Sequence, residues 1–375
     1  MSDLLESDFI SRPLHGGNLR WAARLAQCTP EDLIDFSASI SPLGPPLSVQ
    51  DAVRAAFSSV IAYPDPSYLN LRWAIAQHHN LPVEYVFPGN GAAELLNWAA
   101  RDLAEMQRCF CLSPGFGDYA RSLLAYHCSP TQISLFDEQL NYQNDWESVL
   151  EGEPSLASSG LLLNNPHNPT GQLFARERVR SLISLFGLVV VDEAFMDFFP
   201  PEKSQSVISS ADEFPDNLVV IRSLTKFYSM PGIRLGYAIA HPARFNRWKS
   251  WRDPWSVNCF AAAAGISALQ DTMFQQKSWE WLSVENAFLF KALSSFDGIE
   301  PMPGRANFLL VKCHVSAVKL QTLLLQRHRI YIRDCMSFEG LGDRFFRVAV
   351  KSRADNQRLI DALVDVLPEL TQHAG

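Results

Sequence analysis

The stretch Ser223-Leu224-Thr225-Lys226-Phe227, running on to Pro231-Gly232-Ile233-Arg234-Leu235-Gly236, decides how this chain is read. It follows an apolar run, Leu218 to Ile221, whose unbroken hydrophobicity predicts a buried strand. A lysine just past such a strand lies at the C-terminal edge of a sheet, where open α/β folds bind ligands. The hydroxyls of Ser223 and Thr225 and the guanidinium of Arg234 are close enough in sequence to gather around one anion. Arginine suits a phosphate because its planar fork donates two hydrogen bonds at once. A desolvated amine beside a phosphate clamp is the equipment of Schiff-base chemistry. The alternative is a surface loop that happens to carry one lysine and one arginine.

Working outward, Gly187 to Val191 is another continuous apolar strand, ended by Asp192-Glu193-Ala194-Phe195. A carboxylate there is expensive to bury without a cationic partner, such as a protonated ring nitrogen; the alternative is a helix cap. Leu161 to Leu163 runs into Asn164-Asn165-Pro166-His167-Asn168-Pro169-Thr170-Gly171, which places the Asn168 amide at the same sheet edge. Phe116, between Gly115 and Gly117 at the end of a strand from Cys109 to Leu112, suits either stacking on a flat ring or the core. Val86-Phe87 ends at Pro88-Gly89-Asn90-Gly91, and a helix is predicted from about Ala92 to Met106. Strand, glycine turn and helix N-terminus form a general anion site. No G-K-[ST] follows these glycines and G-x-G-x-x-G is incomplete, which excludes a Walker loop and the dinucleotide fingerprint.

Nearer the N-terminus, Tyr63 precedes Pro64-Asp65-Pro66, a setting for a fixed hydroxyl or for ordinary packing. His15-Gly16-Gly17-Asn18 allows close backbone approach to a ligand, or is simply a flexible arm. Ser41-Pro42-Leu43-Gly44-Pro45-Pro46 marks a boundary. The expected organisation is therefore an arm over 1–45, a large α/β domain over 46–250 and a smaller α+β domain over 251–375. Trp248, Trp251, Trp255 and Phe260 are expected at the hinge or interface between lobes, and Arg333 and Arg347 at or beside strand ends in the smaller domain.

The 375 residues are 47% hydrophobic and 19% charged, enough for a large core. A net charge of −8 argues against a nucleic acid or an anionic membrane as partner. The seven cysteines form no C-x-x-C and the nine histidines no H-E-x-x-H, so no metal site is expected. His78-His79 reads as a solvated helix end. No apolar run is long enough to span a bilayer and no signal-peptide pattern begins the chain, so a cytoplasmic protein is expected.

Taken in order, Gly91-Ala92-Ala93-Glu94, Pro114-Gly115-Phe116, Asn165 to Gly171, Asp192 to Phe195, Ser223-x-Thr225-Lys226 and Arg234 resemble the fold-type-I pyridoxal-phosphate enzymes of the class I/II aminotransferase group. The resemblance spans nearly the whole chain. Within the group, His15 to Asn18, Asp35 to Pro46 and Arg333 through Ala349 are similar to the threonine-phosphate decarboxylases of cobalamin biosynthesis; histidinol-phosphate aminotransferases are the relatives with a different reaction.

The resemblance implies a pyridoxal 5′-phosphate cofactor with Lys226 as its Schiff-base lysine and Asp192 on the pyridinium nitrogen. It implies Phe116 against the ring, Asn168 on the phenolic oxygen, and the N–H groups of Ala92 and Ala93 with Ser223, Thr225 and Arg234 on the phosphate. It further implies a homodimer in which Tyr63 reaches the neighbouring cofactor. The substrate, a small phosphorylated amino acid, would be held by His15, Gly16, Gly17, Ser41, Asn168, Arg333 and Arg347. Two departures stand out. Phe195 occupies a position where many related aminotransferases carry tyrosine, and Ser39-Ile40-Ser41-Pro42 replaces Asn-Ile-Asn-Pro.

Overall fold

The computed structural model describes residues 12–372, and the chain divides into two units. The larger comprises Ile40–Asn168 and Gln172–Trp281; the smaller comprises Met1–Ser39, Pro169–Gly171 and Leu282–Gly375. The division thus falls at 281/282 rather than near 250. The reason is packing: a Cβ added at Gly265, in the helix Cys259–Gln270, would meet Leu235 at 2.4 Å and Leu71 at 3.0 Å. The indole N–H of Trp279 donates to the Asp197 carbonyl at 2.9 Å, again inside the larger unit. Trp248 is no hinge residue either. It is fully buried in the large-unit core and donates to Asp102 Oδ2 at 2.9 Å.

In chain order the strands are β1 (Ile34–Asp35), β2 (Val86–Gly89), β3 (Cys109–Ser113), β4 (Thr131–Ser134), β5 (Gly160–Asn164), β6 (Leu188–Asp192) and β7 (Leu218–Ser223). They continue as β8 (Gly236–Ala240), β9 (Ile299–Pro301), β10 (Phe308–Cys313), β11 (Ile330–Tyr331), β12 (Arg333–Asp334) and β13 (Phe345–Ala349).

The larger unit is built on a seven-stranded sheet of order β2-β8-β7-β6-β5-β3-β4. β3, β5, β6 and β7 are buried along their whole length, which is why they read as unbroken apolar runs. β8 is antiparallel to both of its neighbours, β2 and β7, and the other pairings are parallel. Six strands therefore end at one edge of the sheet. Gly89, Asn164, Asp192 and Ser223 are the last residues of β2, β5, β6 and β7, and Gly236 opens β8 beside them. Lys226 lies just beyond that edge, where the sequence predicts it.

The smaller unit carries an antiparallel sheet of order β12-β13-β10-β9 and a two-residue parallel pair, β1 with β11. Arg347 lies in the middle of β13 rather than at a strand end, directly opposite Arg333 of β12. Among the described residues no helix is long and apolar enough to cross a membrane, and no cluster of His, Cys, Asp or Glu could hold a metal ion.

Candidate active site

The anion cradle is assembled by three adjacent strands. Ser223 faces Gly236, and Gly236 faces Gly89. Gly236 has to be small: a Cβ there would lie 2.6 Å from the backbone nitrogen of Ala92, the first residue of the helix Ala92–Leu103. Gly91 caps that helix with φ of +77° and offers no side chain to its N–H groups. A Cβ at Gly91 would come within 2.3 Å of Arg234 Nη2. Ser223 Oγ is 2.7 Å from Thr225 Oγ1, both buried. The turn that opens the helix at Ala92 and Ala93, the hydroxyl pair and the Arg234 guanidinium are thus brought to one place. Arg234 itself adopts a left-handed conformation and donates to the Pro231 carbonyl at 3.0 Å.

Asp192 is buried at the end of β6, and burial pushes its carboxyl above the usual carboxylate range. Three groups pull the other way: the Tyr119 hydroxyl, which donates to Oδ2 at 2.7 Å, the Ala194 N–H, which donates to Oδ1 at 2.9 Å, and the charge of Lys226. A carboxylate so placed fits a cationic N–H ligand. Tyr119 is the residue that sequence reasoning passed over. It lies in the helix Gly117–Leu124, which Phe116 caps in an extended conformation, and the two rings meet edge to face with centroids 5.6 Å apart. The three-residue spacing from Phe116 was visible in the sequence; the contact with Asp192, 73 residues away, was not.

Asn164 links the neighbouring strand to this carboxylate's backbone: its amide donates to the Asp192 carbonyl at 2.6 Å, and its Oδ1 accepts the Asn168 N–H at 2.7 Å. The Asn168 backbone is thereby fixed beside the end of β5. His167, fully buried, gives its ring N–H to the Pro114 carbonyl, and burial drops its pKa to about 3. It is a neutral strut, not a proton carrier. His79, expected at a solvated helix end, instead places Nε2 2.8 Å from the Tyr237 hydroxyl. Phe195 is buried and stacked on Phe198.

Ser41 accompanies the lysine turn through its backbone. Its N–H donates to the Lys226 carbonyl at 3.1 Å, and its carbonyl accepts the Ser229 hydroxyl at 2.7 Å. Its own hydroxyl accepts the Leu43 N–H at 3.4 Å. Tyr63 is away from this cluster, 80% exposed and stacked on Trp255 at 4.5 Å.

In the smaller unit, Arg333 and Arg347 are cross-strand neighbours and both buried. Like charges directly opposite are destabilising, so the pairing is retained against its electrostatic cost. Burial lowers Arg347 to about 10, with Arg333 adding to the shift. Arg347 Nη2 donates to the Ser37 carbonyl at 3.2 Å. Gly16 packs so tightly there that a Cβ would sit 2.2 Å from the same carbonyl, and the Gly17 N–H donates to Ser37 Oγ at 2.8 Å. Gly16, Gly17 and Arg347 therefore converge on Ser37, and His15 precedes Gly16 in the chain. Two desolvated guanidiniums side by side suit a substrate carrying more than one negative charge.

The larger unit's residues fit pyridoxal phosphate. The glycine-walled cradle with Arg234 suits its phosphate, the buried Asp192 its ring nitrogen, and Lys226 its aldehyde. The comparisons agree. The profile of the family "Aminotransferase class I and II" matches residues 31–363. A threonine-phosphate decarboxylase of Salmonella typhimurium is 40% identical over 362 residues, covering 94% of this chain and 96% of that protein. A histidinol-phosphate aminotransferase of Symbiobacterium thermophilum is 32% identical, covering 90% and 91%. The crystal structure of histidinol-phosphate aminotransferase from Sinorhizobium meliloti in complex with pyridoxal-5′-phosphate superposes with a TM-score of 0.81 over 98% of both chains, at 22% identity, a likeness of fold. With a lysine, a carboxylate and an anion cradle at one sheet edge, and this similarity along almost its entire length, the chain belongs to the class I and II aminotransferase family.

Proposed function

We propose that this protein is a pyridoxal-phosphate-dependent decarboxylase of L-threonine O-3-phosphate, yielding (R)-1-amino-2-propanol O-2-phosphate for cobalamin biosynthesis. The observation that carries the proposal is the 40% identity to the Salmonella threonine-phosphate decarboxylase over nearly both whole chains, against 32% for the aminotransferase. Phe195 supports it, since the phenylalanine withholds a hydroxyl that many related aminotransferases supply.

Lys226 would hold the cofactor, Ala92, Ala93, Ser223, Thr225 and Arg234 its phosphate, Asp192 its ring nitrogen, and Phe116 and Asn168 the ring face and phenolic oxygen. Bound there, pyridoxal phosphate supplies the electron sink for breaking a bond at the substrate's Cα. Asp192 would hold a proton on the ring nitrogen, and the Tyr119 hydroxyl, which donates to its Oδ2, would favour its ionised form and fix its position. Arg333 and Arg347 would bind the substrate's anions, as the resemblance implies. Where this chain's arginines held the substrate's phosphate and carboxylate would decide which bond at Cα is exposed to cleavage.

A homodimer in which Tyr63 serves the neighbouring site belongs to the same proposal. Phe57, Ile61 and Tyr63 are 73%, 96% and 80% exposed, a run of large apolar side chains that a partner would cover.

Incubation with threonine phosphate, with and without a 2-oxo acid, tests the assignment. CO₂ released in step with an amine product, without a 2-oxo acid, is the expected result. Transfer of the amino group from histidinol phosphate to 2-oxoglutarate, with no CO₂ from threonine phosphate, would replace it with the aminotransferase reading.

A further inference from the structure

We propose that Arg333 and Asp334 are positioning residues: they clamp the N-terminal arm that carries His15, and Arg333 acts on the substrate through that arm as well as through its charge. The proposal deepens the functional reading above and, in its effect on substrate, rests on it.

The hydrogen bonds are all within the smaller unit. Arg333 Nη1 donates to the Pro13 carbonyl at 3.0 Å, and Nη2 donates to the Leu14 carbonyl and to Ser337 Oγ. Ser337 Oγ also donates to the Leu14 carbonyl, at 3.0 Å. Both terminal nitrogens of the guanidinium are therefore engaged by the chain itself. A buried arginine that reaches two successive backbone carbonyls more than three hundred residues earlier in sequence fixes a path for that backbone.

Asp334, the next residue of β12, takes the next grip. Its Oδ2 accepts Arg12 Nη1 at 3.1 Å and Gln321 Nε2 at 2.9 Å, while its Oδ1 accepts the Met336 N–H at 3.2 Å. Gln321 is fully buried; its Oε1 accepts Arg12 Nη1, and its Nε2 also donates to the Ile332 carbonyl at 2.8 Å. Arg12 lies 5.6 Å over the Trp21 ring. So Arg12, Pro13 and Leu14 are held in succession by two adjacent strand residues. On the far side of His15, the Gly17 N–H is anchored on Ser37 and Gly16 is packed against the Ser37 carbonyl that Arg347 also reaches. His15 is pinned from both sides, and the second anchor is shared with the anion-binding arginine.

If Arg333 were only a substrate ligand, Arg12 and Asp334 would be irrelevant to substrate. The clamp makes the opposite forecast. Hydrogen exchange of the backbone amides 14–18 in the cofactor-loaded enzyme should quicken roughly tenfold in Arg12→Ala and in Asp334→Asn, because the same partly buried, coupled pair is broken in either case. KM for threonine phosphate should rise by a similar factor with a smaller change in kcat. Arg12→Lys should recover part of both effects, and the double variant Arg12→Ala/Asp334→Asn should be little worse than either single one. Arg12 is on the arm, so its variant keeps the core intact. Unchanged exchange in both single variants overturns the clamp, as does faster exchange with unchanged KM. A wild type that fails to decarboxylate threonine phosphate defeats the functional reading alone; the clamp is then judged by exchange and by KM for histidinol phosphate.

Discussion

Tyr119→Phe isolates a single interaction at the cofactor site. The substitution removes the hydroxyl that donates to Asp192 Oδ2 at 2.7 Å and keeps the ring that meets Phe116 edge to face. Packing is thus preserved, and the change is electrostatic. A hydrogen bond to a buried charged group contributes about 1.5–3 kcal/mol. Asp192 retains the Ala194 N–H and the charge of Lys226, so the carboxylate survives with one donor fewer. If that carboxylate holds the cofactor's ring nitrogen, affinity for pyridoxal phosphate should fall roughly ten- to a hundredfold, since about 1.4 kcal/mol is a factor of ten.

Equilibrium titration of the apoprotein with the cofactor measures this directly, and the apoprotein supplies a second readout. Burial raises the Asp192 pKa above its unfolded value of 3.8. The folded state then binds the extra proton, so the stabilisation is complete below 3.8 and is lost as pH rises through the folded pKa. Removing the Tyr119 hydroxyl moves that loss to higher pH. Cofactor affinity within twofold of wild type, with superimposable profiles of Tm against pH, would refute the idea that Tyr119 sets the state of Asp192.

Other outcomes follow from the same geometry. Lys226→Ala should abolish turnover and any borohydride-reducible link to the cofactor; a link formed at another lysine would sink the assignment. Asp192→Asn should flatten the pH dependence of apoprotein stability described above and slow turnover by several orders of magnitude, because a neutral amide no longer favours a protonated ring; near-normal turnover would leave Asp192 a structural residue. Gly91→Ala should weaken cofactor binding, since φ is +77° and the new methyl meets Arg234 Nη2; an unchanged dissociation constant would show that Arg234 is free to move aside. Arg347→Gln should raise KM for threonine phosphate far more than for threonine, truncation of one partner of a buried charge pair costing about 2–5 kcal/mol. Equal effects on both substrates would remove Arg347 from phosphate recognition.

Local pattern was sufficient for much of this protein. Unbroken apolar runs identified β6 and β7 because a parallel strand covered on both faces leaves no alternation to read. Glycine turns before a helix marked the anion cradle, and the lysine and aspartate stood at strand ends where a sheet delivers side chains to a ligand. What sequence could not supply was anything set by register or by distant packing. That Ser223, Gly236 and Gly89 lie abreast depends on strand order, and the order β2-β8-β7 is not the order of the chain.

The domain boundary was misplaced because the tryptophan-rich segment looks like an interface, whereas Trp248 is consumed by a core aspartate. Tyr119 was passed over because its partner is 73 residues away. The opposed pair Arg333 and Arg347, and the arm threaded along β12, arise from antiparallel pairing and from hydrogen bonds between the two ends of the chain. Residue type and spacing determined which chemistry this protein carries. Only the tertiary structure decided which groups hold those residues in place, because burial and cross-strand register are properties of the folded chain and not of any segment of it.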